Sequence, residues 1–307
     1  MLFLSHLDLN DYSLHVPDAF LKKFSPSVEK LSFNPFQNDE HLAVKINSCR
    51  SSVRFSLHEA LTPSFLVKAF HSNVIARASE NSPAADAHYI IAPLRNTSPI
   101  FQGKKYLSIR TADCLAVVFV FENAEYFIGA IAHAGWKGLT QGIIQNTIER
   151  LIVEANALGI SKSNLLNELH IHIAPAIFGV SYECGSDVAT AFQQHFSSLT
   201  SKYNNAISYL DLYNLLTNIQ QDPSLLDVVQ SNLFKNQHSI LIPGKIFPDL
   251  QLLAALEGYI SGIPSENIEI LRENTYSHPC LFSYREASHK KTNASHRQWT
   301  HLCFPSI

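Results

Sequence analysis

The sequence lacks the features typical of membrane, nucleic-acid-binding and disulfide-linked proteins. No run of about eighteen apolar residues occurs, so no transmembrane helix is expected. A formal net charge of −3 without a basic block argues against a nucleic-acid-binding surface. The five cysteines are scattered and odd in number, which fits a reducing compartment. Asp8 and Asp11 interrupt the N-terminal apolar stretch too early for a signal peptide. We therefore predict a cytoplasmic protein that binds neither nucleic acid nor a membrane.

The length and composition are those of a globular protein with a large core. The 307 residues are 46% hydrophobic and only 16% charged, below the usual quarter or so of charged residues. No repeat, charge run or Pro/Gly/Ser linker divides the chain. We therefore expect residues 1–307 to form a single domain of the α/β or α+β class.

The most informative stretch runs from Arg110 to Leu139. Residues 115–121 and 126–132 are almost wholly apolar, and a short polar break separates them. Two such runs are typical of a hairpin or of adjacent strands. Cys114 and His133 lie at the ends of these predicted strands, so we expect their side chains to be neighbours in space.

Periodicity predicts further strands and helices on both sides of this pair. Helical spacing follows Gly138, over residues 139–155, and Gly159 suits its C-terminal cap. Further helices are predicted at 161–167, 186–192 and 249–259, with weak helical stretches in 200–245. Strands are predicted at 42–46, 53–57, 87–92, 106–110, 169–174 and 268–271, with a β-rich segment at 64–76 that carries His71 and a last sheet edge near 282–285.

Cys114, His133 and His71 are the residues most capable of chemistry. A thiolate and two neutral imidazoles are good zinc ligands, and three of them leave a fourth coordination position open. Their spacing alone is a weak signal, because buried cysteines and histidines near apolar strands are usually structural. A third interpretation makes Cys114 a nucleophile and His133 its base.

Two further groups of residues are candidates for anion binding or for the surface. The segment Gly135-Trp-Lys-Gly138 precedes a helix, where backbone N–H groups and Lys137 can hold a phosphate, although a flexible turn explains the glycines equally well. Arg50 and Arg285 can also bind an anion. The histidines of the C-terminal tail have no ligand spacing, so we expect them to be solvent-exposed; they are His278, His289, His296 and His301.

Several motifs in this order resemble the YfiH/YlmD family, which was first described as polyphenol oxidase (laccase) and later as purine nucleoside phosphorylase. Arg110-Thr-Ala-Asp-Cys114 and Ala132-His-Ala-Gly-Trp-Lys-Gly138 form the central pair. The supporting matches, between residues 47 and 285, are Asn47-Ser-Cys-Arg50, Lys68-Ala-Phe-His-Ser72, Ala85-Asp-Ala87, Ala174-Pro-Ala-Ile177, Tyr182-Glu-Cys-Gly185 and Phe282-Ser-Tyr-Arg285.

The resemblance implies an α+β fold, a YfiH-like layered sandwich with a mixed β-sheet and flanking helices. It also implies that His71, Cys114 and His133 bind one catalytic zinc ion. The implied activities are phosphorolysis of adenosine, inosine, guanosine and methylthioadenosine, together with deamination of adenosine. We expect Arg50 to act in catalysis and, with Lys137, to hold phosphate. We expect a monomer or homodimer.

Other activities stay open at this stage. The site can instead hold copper for phenol oxidation, although three ligands are few for multicopper chemistry. A Cys–His pair also suits a cysteine hydrolase or amidase that edits cell-wall precursors. Lys137 stands where the family usually has Arg, and Glu286 replaces the second Arg of the closing motif. These departures favour a non-catalytic metal-binding protein, whereas the three intact ligands count against it.

Overall fold

The structure is a computed structural model that describes residues 41–45, 51–57, 65–79, 83–94, 104–177, 181–202, 248–271 and 273–305. The chain divides into two compact units. One comprises Met1–Lys30 and Phe178–Asp249, and the other comprises Leu31–Ile177 and Leu250–Ile307. Both sheets lie in the second unit. The interpretation of residues 1–307 as a single domain stays a prediction. No helix within the described ranges has both the length and the hydrophobicity that crossing a bilayer requires.

In the described residues, the first sheet has five strands in the order β1-β2-β11-β6-β3. Its strands are antiparallel except for β3, which pairs with β6 in parallel. They are β1 His41–Lys45, β2 Ser52–Ser56, β3 Phe65–Leu66, β6 Lys104–Thr111 and β11 Gln298–Pro305. The long C-terminal strand β11 therefore lies in the middle of the sheet and joins β2 to β6.

The second sheet is mixed, and the part of the chain that the structure describes gives it six strands in the order β10-β9-β7-β8-β5-β4. They are β4 Ile75–Arg77, β5 Ala87–Pro93, β7 Leu115–Glu122, β8 Tyr126–Ala134, β9 His170–Ile173 and β10 Ile268–Ile270. The expected pair β7 and β8 is an antiparallel hairpin in which Leu115 lies opposite Ala134. The polar break at residues 123–125 makes the turn, because the Asn123 side chain accepts hydrogen bonds from the backbone N–H groups of Glu125 and Tyr126.

The two sheets share one hydrophobic core. Alternate residues of each strand point into it, as the two-residue period of a strand requires. Its members include Val53 and Phe55 on β2, and Val118 and Val120 on β7. The ring planes of Phe127 and Phe304 stack across the sheets with centroids 5.4 Å apart. This layered arrangement of mixed sheet and helices confirms the α+β fold class.

Six α-helices occur in the described residues. They are α1 Trp136–Thr140, α2 Ile143–Ala157, α3 Lys162–Glu168, α4 Ser186–Lys202, α5 Leu250–Ile260 and α6 Tyr284–Lys290. Helices α1, α2, α3 and α5 contact the second sheet. The prediction of one continuous helix over 139–155 is wrong, because Gly142, at φ 78°, separates α1 from α2. Gly159, at φ 79°, follows the end of α2 as expected.

Three other differences from the predicted elements concern the regions around the site. His71 does not lie on a strand but in the loop between β3 and β4, where its φ is 63°. Residues 282–285 do not form a sheet edge, because Ser283 caps α6 and its side chain accepts a hydrogen bond from the Glu286 N–H. Strand β11 was not predicted, and its His301 is fully buried rather than exposed. Most of the weakly helical segment 200–245 lies outside the described residues.

Candidate metal centre

Three side chains from separate elements converge at one end of the β7–β8 hairpin. Cys114 immediately precedes β7, and His133 is the penultimate residue of β8, where it lies opposite Ala116. His71 comes from the loop between β3 and β4. The Nδ1 or Nε2 atoms of the histidines and the Cys114 Sγ lie within 4.8 Å of one another. The structure thus brings together the three residues expected to bind metal, with His71 exposed, Cys114 half-buried and His133 buried.

The distances fit the coordination geometry of a small tetrahedral metal ion. With ordinary zinc–nitrogen and zinc–sulfur bonds, two tetrahedral donors lie about 3.6 Å apart. The Cys114 Sγ lies 3.9 Å from the His71 Nε2. The two imidazole rings meet edge to face, with centroids 4.8 Å apart. The separation of Cys114 Sγ and His71 Nε2 is therefore within about 0.3 Å of that expected for two ligands of one ion, and all three donors lie within 4.8 Å of one another.

Gly135 leaves the space between the three donors free. A Cβ atom at this position would lie 3.0 Å from the Cys114 Sγ, 3.4 Å from the His71 Cδ2 and 3.6 Å from the His133 Cε1. The backbone of Gly135 is extended, at φ −66° and ψ 168°, a conformation that every residue can adopt. The glycine is therefore required by the close approach of the three side chains and not by its conformational freedom.

Asp86, directly before β5, orients His133. Its Oδ1 accepts a hydrogen bond from the His133 Nδ1 at 2.9 Å, and its backbone carbonyl accepts one from the His133 N–H at 2.6 Å. Asp86 itself is completely buried. With Nδ1 engaged as a donor, the Nε2 of His133 is the nitrogen that is left to bind a metal.

The charges of the cluster stabilise one another. Burial alone would raise the pKa of the Cys114 thiol, but hydrogen bonds to His133 and His71 outweigh it and lower the pKa to about 7. Burial would lower the pKa of His133, but Asp86 and Cys114 raise it to about 9. Burial would raise the pKa of Asp86, but hydrogen bonds from His133 and Ser72 lower it to about 2. The arrangement thus favours ionised Asp86 and an easily deprotonated thiol, which is the form that binds metal.

A second carboxylate, Asp113, holds the loop that carries Cys114. Its Oδ1 accepts a hydrogen bond from the Thr275 hydroxyl at 2.8 Å, and its Oδ2 accepts one from the Arg285 backbone N–H at 2.7 Å. Its carbonyl oxygen accepts a bond from the Ile177 N–H at 3.0 Å. Asp113 therefore ties the Cys114 loop to the start of α6 and to the segment before it.

The predicted anion-binding residues are only partly within the described structure. Lys137 is exposed on α1, two residues after Gly135, and its Nζ lies 5.6 Å from the centroid of the Trp136 ring. Arg285 lies at the start of α6, and its own backbone N–H donates the hydrogen bond to Asp113. Arg50 lies outside the described residues. The roles of Arg50 and Lys137 in binding phosphate stay predictions.

Sequence analysis did not assign roles to Asp86 or Asp113, and it placed Gly135 in a phosphate-binding segment or a flexible turn rather than in close contact with the three donors. The available signal was the position of each residue inside a motif. Asp86 is the centre of Ala85-Asp-Ala87, Asp113 precedes the cysteine, and Gly135 follows the histidine by two residues. Their roles depend on hydrogen bonds and close contacts that join distant segments, and the spacing of residues in one sequence does not report these.

The fold and the cluster together define an α+β protein with a candidate metal centre. A family model described as multi-copper polyphenol oxidoreductase laccase matches residues 24–225, more than half of the chain. The chain belongs to this family, and the resemblance to the YfiH/YlmD family is confirmed.

Curated relatives in this family share part of the sequence. Proteins named purine nucleoside phosphorylase are 25% identical over 167 residues in Aquifex aeolicus, 39% over 87 residues in Deinococcus radiodurans and 27% over 164 residues in Pseudomonas aeruginosa. These matches cover 54%, 28% and 53% of this chain, and 70%, 30% and 57% of the respective relatives. In the last two, the match spans less than two thirds of the relative.

Solved structures share the fold over most of the chain. The hypothetical protein YfiH of Bacillus licheniformis is 16% identical with a TM-score of 0.57, covering 89% of this chain and 100% of that one. YlmD from Geobacillus stearothermophilus is 15% identical with a TM-score of 0.52, covering 90% of this chain and 94% of that one. At these identities the likeness establishes the fold alone.

Proposed function

We propose that this protein is a zinc-dependent purine nucleoside phosphorylase that also deaminates adenosine. The observation that carries the proposal is the cluster of two imidazoles and one thiol, with exposed His71 on its outer side. Curated relatives named purine nucleoside phosphorylase support the same class of activity. The proposed substrates are adenosine, inosine, guanosine and methylthioadenosine, with inorganic phosphate as the second substrate.

The proposed ligands are His71, Cys114 and His133, and the donor set favours zinc over copper. Two neutral imidazoles and a thiolate, with a fourth position for substrate, match a catalytic zinc site. Bound zinc would supply Lewis-acid chemistry. Multicopper oxidation of phenols requires several metal ions, whereas the described residues contain one such cluster. Zinc is therefore the proposed cofactor, although the family description names copper.

In the proposed phosphorolysis, an oxygen of phosphate forms a bond to C1′ of the ribose as the bond from C1′ to the purine nitrogen breaks. The bonding electron pair leaves with the purine, which then takes up a proton. Lys137, exposed on α1 two residues after Gly135, and Arg50 are the proposed phosphate-binding residues, because charge-assisted hydrogen bonds would hold the attacking anion. In the deamination, water adds to the purine carbon that bears the amino group, and ammonia leaves.

The test of this proposal is phosphate-dependent release of hypoxanthine from inosine by the purified protein. We expect equal amounts of hypoxanthine and ribose 1-phosphate, and we expect Arg50→Ala to increase the KM for phosphate about tenfold or more. Lys162→Ala, which removes an exposed lysine at the start of α3, is the matched control and should leave that KM unchanged. Hypoxanthine release without a phosphate requirement would contradict the phosphorylase assignment.

One observation favours a second candidate, a cysteine hydrolase or amidase. Asp86, His133 and Cys114 form a connected series in which the carboxylate orients the imidazole and the imidazole lies beside the thiol. The same order of groups activates cysteine nucleophiles. Amide hydrolysis that persists after metal removal and is abolished by iodoacetamide would support this candidate over the phosphorylase.

A further inference from the structure

We propose that Asp86 is the positioning residue that preassembles the candidate metal centre by holding both histidines through one carboxylate. This inference rests on the proposed function only in taking His71 and His133 as metal ligands. It concerns how the two ligands reach their positions before any ion binds, and it assigns a role to a buried carboxylate whose oxygens accept hydrogen bonds from the His71 loop and from the His133 ring.

Asp86 holds the loop that carries His71 through four hydrogen bonds. Its Oδ1 accepts bonds from the backbone N–H groups of Phe70 and His71 at 3.1 and 3.0 Å. Its Oδ2 accepts bonds from the backbone N–H and the hydroxyl of Ser72, each at 2.7 Å. Three successive backbone donors thus point at one carboxylate, an arrangement that a loop adopts around a fixed anion.

This loop conformation is costly for His71 without the carboxylate. A φ of 63° places His71, a non-glycine residue, in the left-handed region, which is unfavourable for a residue that carries a side chain. Hydrogen bonds to a charged acceptor are stronger than those between neutral groups, and four of them hold this loop. The bonds to Asp86 therefore offset the conformational cost, and the same conformation directs the His71 Nε2 to within 3.9 Å of the Cys114 Sγ.

The same Oδ1 atom accepts the hydrogen bond from the His133 Nδ1. One carboxylate therefore receives five hydrogen bonds, four from the His71 loop and one from the ring of the second histidine. Asp86 lies 15 residues after His71 and 47 residues before His133 in the chain. Loss of the carboxylate should release both ligands, whereas Cys114, held through Asp113, should stay in place.

Asp86→Asn tests this inference, because asparagine has the same shape. The Oδ1 of asparagine can still accept hydrogen bonds, but its Nδ2 is a donor. In one orientation Nδ2 would face the two donors of Ser72, and in the other it would face the donors of Phe70, His71 and His133. We expect the zinc affinity, measured by competition with a chromophoric chelator, to fall 10- to 100-fold. In the metal-free protein we expect faster amide hydrogen exchange at Phe70, His71 and Ser72.

The matched control is Glu122→Gln. Glu122 also accepts a backbone N–H and a hydroxyl from a neighbouring segment, those of Ser51, but it lies at the opposite end of β7 from Cys114. This change should leave the zinc affinity unaltered even if it lowers the melting temperature. In the cobalt-substituted Asp86→Asn protein, the charge-transfer band of the Cys114 thiolate should remain while the d–d bands shift, a change that a general loss of stability does not produce.

The outcomes separate this inference from the proposed function. Zinc affinity and amide exchange in Asp86→Asn that equal those of the wild type would overturn the role of Asp86, whatever reaction the protein catalyses. A weakened zinc affinity in the variant supports that role, whether or not the wild-type protein releases a purine base. Zinc binding without base release in the wild-type protein would count only against the phosphorylase assignment.

Discussion

Replacement of Gly135 by alanine should damage the metal centre and leave the fold intact. The backbone at this position, φ −66° and ψ 168°, suits alanine as well as glycine. On backbone grounds alone, the substitution should stabilise the protein by about 0.4–1 kcal/mol, because alanine has less freedom than glycine in the unfolded chain. Any loss of metal binding would therefore come from the new methyl group and not from backbone strain.

The size of the effect follows from the contacts of that methyl group. It would lie 3.0 Å from the Cys114 Sγ, whereas heavy atoms in contact prefer about 3.5–4.0 Å. The sulfur must therefore move away by about 0.5 Å. A functional site has to hold its groups within about 0.5 Å of their working positions, so this displacement is enough to disturb the metal ligand. The contacts with His71 and His133, at 3.4 and 3.6 Å, leave the methyl group little room to move away from the sulfur. We expect the zinc affinity of Gly135→Ala to fall about tenfold or more.

The assay is zinc competition with a chromophoric chelator, paired with thermal unfolding of the metal-free protein. Gly159→Ala is the matched control, because Gly159 has a φ of 79° and no atom within 4 Å of the added Cβ. That variant should lose about 1–2 kcal/mol of stability and keep the wild-type zinc affinity. A Gly135→Ala protein that binds zinc as tightly as the wild type would refute the reasoning.

Three further predictions concern other parts of the molecule. Burial and the nearby Arg54 lower the pKa of His301 to about 4, so the unfolded state binds more protons between pH 4 and 6.5 and stability rises with pH there. Urea unfolding should show this contribution, about 3 kcal/mol, and His301→Asn should remove it; equal pH dependence in the two proteins would contradict it. Phe70 adjoins His71 and is 50% exposed, and under the proposed function we expect it to stack on the purine. Phe70→Ala should then raise the KM for inosine about tenfold without changing the zinc content, and an unchanged KM would exclude this contact. A Cβ on Gly129 would lie 2.5 Å from the Phe127 Cζ and 2.7 Å from the Leu302 Cδ2. Gly129→Ala should therefore lower the free energy of unfolding, measured in urea, by about 1–3 kcal/mol. Unchanged stability would show that the core can adjust.

The strands near the site could be predicted because their patterns are local. The apolar runs on either side of the turn at residues 123–125 determine that β7 and β8 pair. This pairing brings His133 level with Ala116 and therefore close to Cys114. Strands β2, β5, β6 and β9 and helices α3 and α5 also follow from local periodicity or capping. Ser161, for example, accepts a hydrogen bond from the Asn164 N–H at the start of α3.

Features that depend on distant partners could not be predicted from the sequence. In its left-handed conformation His71 donates a backbone hydrogen bond to the Asp86 carboxylate, which lies 15 residues away. Strand β11 was missed because it carries buried polar residues. His301 is completely buried and shares a hydrogen bond of 2.7 Å with the hydroxyl of Ser108, which also has no exposure. Polar side chains on a strand normally indicate a solvated face, and only the neighbouring strand shows that this one is covered.

The most direct test of the central claim is the zinc content of the purified protein, measured by mass spectrometry together with phosphate-dependent release of hypoxanthine from inosine. The same measurements on Cys114→Ser provide the comparison. Our account predicts about one zinc ion per chain in the wild-type protein and base release that is lost in the variant. It also predicts that chelation removes the activity and that added zinc restores it. Full activity in a protein stripped of zinc, or in Cys114→Ser, would contradict the account.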